Sequence, residues 1–264
     1  MRNLIKTDLK RIIKDKLFLI SLIIAAGFAL FTPLLYKALF SAMEMPDMIG
    51  MVVSTETLYL SSYSMGNNLG LIAPIFITII LAKDFSYGTI RNKLISGKSR
   101  ESVYLSMFIS GSIVMCGVML VHGVLTLLVS MLLFGAVESS AVVTLILSTL
   151  FAMLLCIMVG AIISFFIASM KNAGLAVVLY FAVNFFFTIV GGITSIVLAL
   201  TPEADSAYGV IEFFNNINVF TSPVLISGAE YGLSEVLYST LPPIFLGGIF
   251  TLFGLLIFRK KNLK

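Results

Sequence analysis

Tryptophan is absent from this 264-residue chain, histidine occurs once, and charged residues make up only 11% of it. A soluble domain carries roughly 25% charged residues. With 59% of its residues hydrophobic, the chain cannot cover its surface with polar groups, so lipid must be its solvent. Cysteine is almost as scarce. Cys116 and Cys156 both lie inside apolar blocks and read as packing residues, not as a disulfide or a metal pair. One His, two apolar-embedded Cys and no carboxylate pair within the apolar blocks leave no metal site or catalytic triad to assemble. An enzyme and a nucleic-acid binder are therefore not expected.

What is present is long apolar runs. Crossing a bilayer takes about 20 apolar residues in a helix. Residues 17–40, 103–134, 141–170, 172–200 and 236–258 meet this directly. A sixth block, 69–82, is too short unless it extends back to residue 58. A span over 58–82 carries Ser61, Ser62, Ser64, Asn67 and Asn68. Two readings stay open: a short span behind a loop, or a helix whose polar face lines a pathway or a helix interface. The expected fold is all-α and integral to the membrane, one domain with six transmembrane helices. The basic, then apolar N-terminus resembles a signal peptide, but its apolar run is too long and lacks a small-residue cleavage site, so it reads as a retained anchor.

Lys and Arg set orientation. Of the 17, all but Lys37 fall on one side of this topology, and Lys37 sits where it can snorkel out; nine of the 13 acids take the other side. Both termini are expected in the cytoplasm. Ahead of the first span, in residues 1–16, Leu4, Ile5, Leu9, Ile12 and Ile13 share one half of a helical wheel. Lys6, Thr7, Lys10, Arg11 and Lys14 take the other half, with Asp8 and Lys16 fitting imperfectly. That pattern suits an amphipathic helix in the interface plane, which can also rest on a cytoplasmic partner; a plain basic flank is the alternative. The expected outer loop, 201–235, has five acids and no Lys or Arg. Its mixed "VIEFFNNINVFTSPVLISG" suits interfacial or re-entrant helices, or an ordered cap.

Between the second and third spans runs "KDFSYGTIRNKLISGKSRES". Gly97-Lys98-Ser99 looks like the end of a phosphate-binding loop, but such a loop needs glycine where Asn92 stands, and it follows a strand. Nucleotide binding by this chain is rejected. The stretch reads instead as a connector. Gly88 breaks or bends the helix that ends past Asp84 and Phe85. "TIRNKLIS" makes a short amphipathic helix, with Ile90, Leu94 and Ile95 opposite Arg91, Asn92 and Lys93. Gly97 ends it, and Ser99 caps the next helix.

The phrase Asp84-Phe85-x-x-Gly88-Thr89-x-Arg91, followed by Ser99-Arg100, resembles the coupling-helix region of type-2 ATP-binding-cassette (ABC) transporter permeases. The closest likeness is to the six-span subunits of bacterial exporters for bacitracin-like antibiotics, lantibiotics and other peptides. The likeness extends to the basic arm, the six spans and the structured loop between spans five and six. Family members often carry Glu at the position of Asp84. The resemblance implies a multi-pass bacterial cell-membrane protein without its own cofactor. It pairs with a second permease, the same or related, and with two copies of a separate ATPase that binds ATP and Mg. It also implies a coupling element at 84–100 (Asp84, Phe85, Gly88, Thr89, Arg91, Ser99, Arg100). The pathway would be lined by Asn67 and Asn68 from span two and by Phe181, Asn184, Phe185 and Thr188 from span five, with an outer gate within Val210–Gly228. The Phe-rich fifth span favours an apolar or amphipathic cargo, a peptide or peptide antibiotic foremost, and a lipid or small ion stays open. A secondary transporter or channel is the rival, although no charged group lies at mid-membrane and His122 is the only candidate proton relay.

Overall fold

The structure is a computed structural model and describes residues 1–42, 53–64, 68–170, 172–203, 206–220 and 232–261, with side chains from residue 72 onward in the segment that starts at 68. The described residues are helical throughout, without strands. In order they form α1 (Arg2–Lys14), α2 (Lys16–Ala42), α3 (Thr55–Ser61), α4 (Asn68–Ser86), α5 (Thr89–Ile95), α6 (Arg100–Phe134), α7 (Val142–Met170), α8 (Ala173–Leu200), α9 (Tyr208–Ile217) and α10 (Leu233–Lys260).

Five of these, α2, α6, α7, α8 and α10, are long and apolar enough to cross a membrane. The shorter sixth block follows the first of its two readings, a short helix behind a break. It is not one helix over 58–82: α3 stops at Ser61, a turn follows at Ser62 and Tyr63, and α4 begins at Asn68. The hydroxyls of Ser61 and Ser62 turn back onto the carbonyls of Leu58 and Tyr59, which helps end the helix there. Past α4 the axis bends by 54° into α5. Gly88 makes that bend at φ +67°, a left-handed conformation that costs glycine little.

Helix α7 is the centre of the packing and the most buried of the five. It is apolar all round, as a helix surrounded by others should be. Small residues such as Gly160 let α6 approach until a Cβ there would lie 3.3 Å from the Ser112 backbone. Close packing of this kind replaces the hydrophobic drive that lipid removes. α10 packs most extensively on α7, α2 lies on α6, and α8 contacts both α4 and α7.

At one end of the bundle, α3 ties to the α6–α7 turn: Thr55 donates to the Gly135 carbonyl at 2.8 Å, and the Glu138 amide donates to Glu56 at 3.1 Å. The expected outer loop contributes a helix at this end, α9. Asn215 accepts from Thr194 and Ser195 of α8 (3.1 and 2.8 Å), and Asn218 donates to the Phe187 carbonyl at 2.7 Å. α1 and the end of α10 meet the connector at the opposite end.

Candidate functional site

α1 buries Leu4, Asp8 and Ile12, spaced four apart on one stripe, and packs on α6. The imperfect fit of Asp8 to the apolar face is therefore the informative feature. Asp8 is 2% exposed and accepts from Lys93 of α5 at 2.6 Å and from Ser106 of α6 at 2.6 Å. Lys93 also reaches Asp84 at 3.4 Å, and Arg11 pairs with the same Asp84. Outside this cluster, Lys83 bonds Asp15 at 2.6 Å. Arm, connector and α6 thus close around two carboxylates and two cations. A buried carboxylate is tolerable only when paired and hydrogen-bonded. Burial pushes the Lys93 ammonium below its ordinary range, and the Asp8 carboxylate pulls it back. Burial lowers Arg11 in the same way, opposed by Asp8 and Asp15.

The candidate coupling residues divide. Asp84 is 1% exposed and serves the interior network. Phe85 meets Phe258 of α10 edge-on at 6.3 Å between centroids. Gly88 and Thr89 open α5. Ser99 caps α6 as expected, accepting from the Ser102 amide at 3.2 Å. Arg100 is occupied too: its guanidinium donates to the carbonyls of Arg259 and Lys261 at the end of α10 (2.7 and 2.8 Å), while Arg259 pairs with Glu101 at 2.6 Å. These carbonyls have no partners within the helix, and a cation suits them. Lys261 in turn donates to the carbonyls of Ala168 and Ser169 at the end of α7.

The faces of α5 differ from expectation. Ile90 is buried as expected, but Lys93 turns inward and Ile95 outward. Because Asp8 and Asp84 lie beneath the helix, they draw Lys93 in and leave an isoleucine uncovered. The outward surface is Tyr87 (75% exposed), Arg91, Asn92 and Ile95 (73% exposed).

The candidate pathway residues do not share one environment. Asn67 lies outside the described residues, as do the side chain of Asn68 and residues 221–228 of the expected gate. Asn184 is buried, bonded to Tyr180 at 3.2 Å and approached by Thr188 at 3.4 Å. It faces neighbouring helices rather than lipid, as expected for an amide. Phe181 is half-buried between the rings of Tyr180 and Phe185, and Phe185 is exposed. Among the described residues no group of three or more His, Cys, Asp or Glu is placed to hold a metal.

Residue patterning missed Asp8, Arg11, Lys93 and Ser106 as one cluster. The available signal was an acid standing between Leu4 and Ile12 on an apolar stripe. A family model matches residues 18–263, that of a protein of unknown function, DUF2705, and the chain belongs to that family. No curated protein matches it.

Proposed function

We propose that this member of the DUF2705 family is the membrane-spanning permease of an ATP-driven exporter, with ATP and Mg bound on a separate subunit. The observation that carries the reading is the connector. α5 is held from behind by the buried Asp8–Lys93 and Asp84 contacts, yet presents Tyr87, Arg91, Asn92 and Ile95 outward. A docking element that transmits a push needs such a rigid base and an uncovered face, and tyrosine, arginine and isoleucine suit a protein contact.

In this reading the chain is a six-span protein of a bacterial cell membrane, the 54° pair α4–α5 supplying one span and its coupling helix. Both termini and the connector are cytoplasmic, in keeping with the distribution of Lys and Arg. Two copies, or one copy and a related permease, sit on two ATPase subunits about a two-fold axis. The cargo is apolar or amphipathic, a peptide or peptide antibiotic foremost, in keeping with the Phe-rich α8. The test is co-expression with the ATPase encoded beside the chain. A lipid-reconstituted complex of two permeases and two ATPases, with cargo-stimulated hydrolysis, is the expected result. A chain that transports with no ATPase would reject the proposal in favour of a secondary transporter or channel.

A further inference from the structure

A cavity of about 360 Å³ opens between α2, α3 and α6, lined by Thr32, Leu35, Tyr36, Leu58, Ser62, His122 and Thr126 among others. It lies apart from the connector and from Asn184, and its volume is within the roughly 300–1,000 Å³ typical of small-molecule sites. No described lining residue is charged. Two of its hydroxyl protons are already committed, while the Thr32 and Tyr36 hydroxyls can donate or accept. Ser62 donates to the Tyr59 carbonyl at 2.6 Å and Thr126 to the His122 carbonyl at 2.9 Å. The His122 ring is 4% exposed, with Nδ1 2.9 Å from the Ala25 carbonyl. A carbonyl only accepts, so Nδ1 carries the proton and Nε2 is left as an acceptor. Nε2 has no hydrogen-bond partner among the described residues.

The lining therefore offers a ring-nitrogen lone pair at His122 Nε2 and several hydroxyls, beside the apolar side chains of Leu35, Leu39 and Leu58. A ligand that engages Nε2 has to bring the donor. It also has to be uncharged, because a cation here would be desolvated with no carboxylate to pair it. We propose that this cavity is a binding site for a neutral amphipath with a hydroxyl head, which donates to His122 Nε2 while its alkyl part lies along the leucines. The site stands whether or not the chain couples to an ATPase.

The test is photolabelling of the full chain in lipid nanodiscs with a diazirine-bearing octanol, and with the matching octane diazirine as control. The labelled residues are located by mass spectrometry. The alcohol is expected to label the stretch from Leu35 to Leu39, Leu58 or the surroundings of His122 at least fivefold more than the alkane. His122→Leu, which removes the ring acceptor, and Thr32→Phe, which fills the cavity and keeps His122, should each lower that labelling at least fivefold. Displacement by diacylglycerol but not by hexanol would assign the hydroxyl to a lipid, and displacement by hexanol would assign it to a free alcohol. Equal labelling by alcohol and alkane, labelling that survives both variants, or labelling that neither competitor displaces would overturn the proposal.

Discussion

Lys93 donates to Asp8 across 2.6 Å, joining two residues 85 positions apart in the chain. The bond makes the N-terminal arm part of the connector. Removing one member of a buried pair strands the other, at a cost of about 3–5 kcal/mol. Asp8→Leu and Lys93→Met should each lower the thermal unfolding temperature in detergent markedly. The exchange of both for apolar residues, Asp8→Leu with Lys93→Met, should recover part of the loss, because neither charge is left stranded and Asp84 keeps Arg11. Equal losses in the singles and no recovery in the exchange would mean that the pairing does not hold the arm.

Asp84 and Arg91 lie seven positions apart, one inside and one outside. Asp84→Arg should place a third cation against Arg11 and Lys93 and unfold the junction, seen as loss of the monodisperse peak in size-exclusion chromatography. Arg91→Glu touches an exposed site and should leave that peak unchanged. If both variants behave alike, the inward placement of Asp84 is wrong.

Two glycines of the bundle should answer differently to a methyl group. At Gly160 a Cβ would meet Ser112, including its Cα at 3.3 Å, whereas at Gly117 nothing lies within 4 Å. Gly160→Ala should destabilise by about 1–3 kcal/mol through overpacking. Gly117→Ala should be neutral or stabilising by about 0.5–1 kcal/mol, because alanine loses less backbone freedom on folding. Unfolding by denaturant in mixed micelles ranks the two.

Asn184 tests whether a buried amide in α8 is structural or part of a route. Its bonds to Tyr180 and Thr188 predict only a modest loss in Asn184→Leu, since a bond of this kind in a membrane bundle is worth about 0.6 kcal/mol. A stable variant whose cargo-stimulated hydrolysis is altered would place Asn184 on the pathway. A stable variant with wild-type stimulation would leave it a packing group.

The spanning helices were legible because apolar length alone decides them, and Gly88, Gly97 and Ser99 marked the connector because backbone conformation and capping are local. Lys93 and Ile95 were assigned to the wrong faces of α5 for the opposite reason. Seven residues make barely two turns, and what orients them is a pair of carboxylates, Asp8 and Asp84, brought in from other segments. That Arg100 caps α10 was not legible, because the carbonyls that it bonds lie at the far end of the chain, at Arg259 and Lys261. The break after Ser61 was hidden by a run of small polar residues that a helix or a turn can hold equally well.

The central proposal is that the outward face of α5 touches an ATPase, and crosslinking tests it most directly. In a background lacking Cys116 and Cys156, Ile95→Cys is co-expressed with the proposed ATPase subunit and treated in lipid with a short maleimide–diazirine reagent, which joins the thiol to any side chain beside it. The expected result is a permease–ATPase adduct whose yield changes with ATP, and none from Val143→Cys, an exposed position near the start of α7. No adduct from Ile95→Cys, Tyr87→Cys or Arg91→Cys in an assembled, ATP-hydrolysing complex would contradict it.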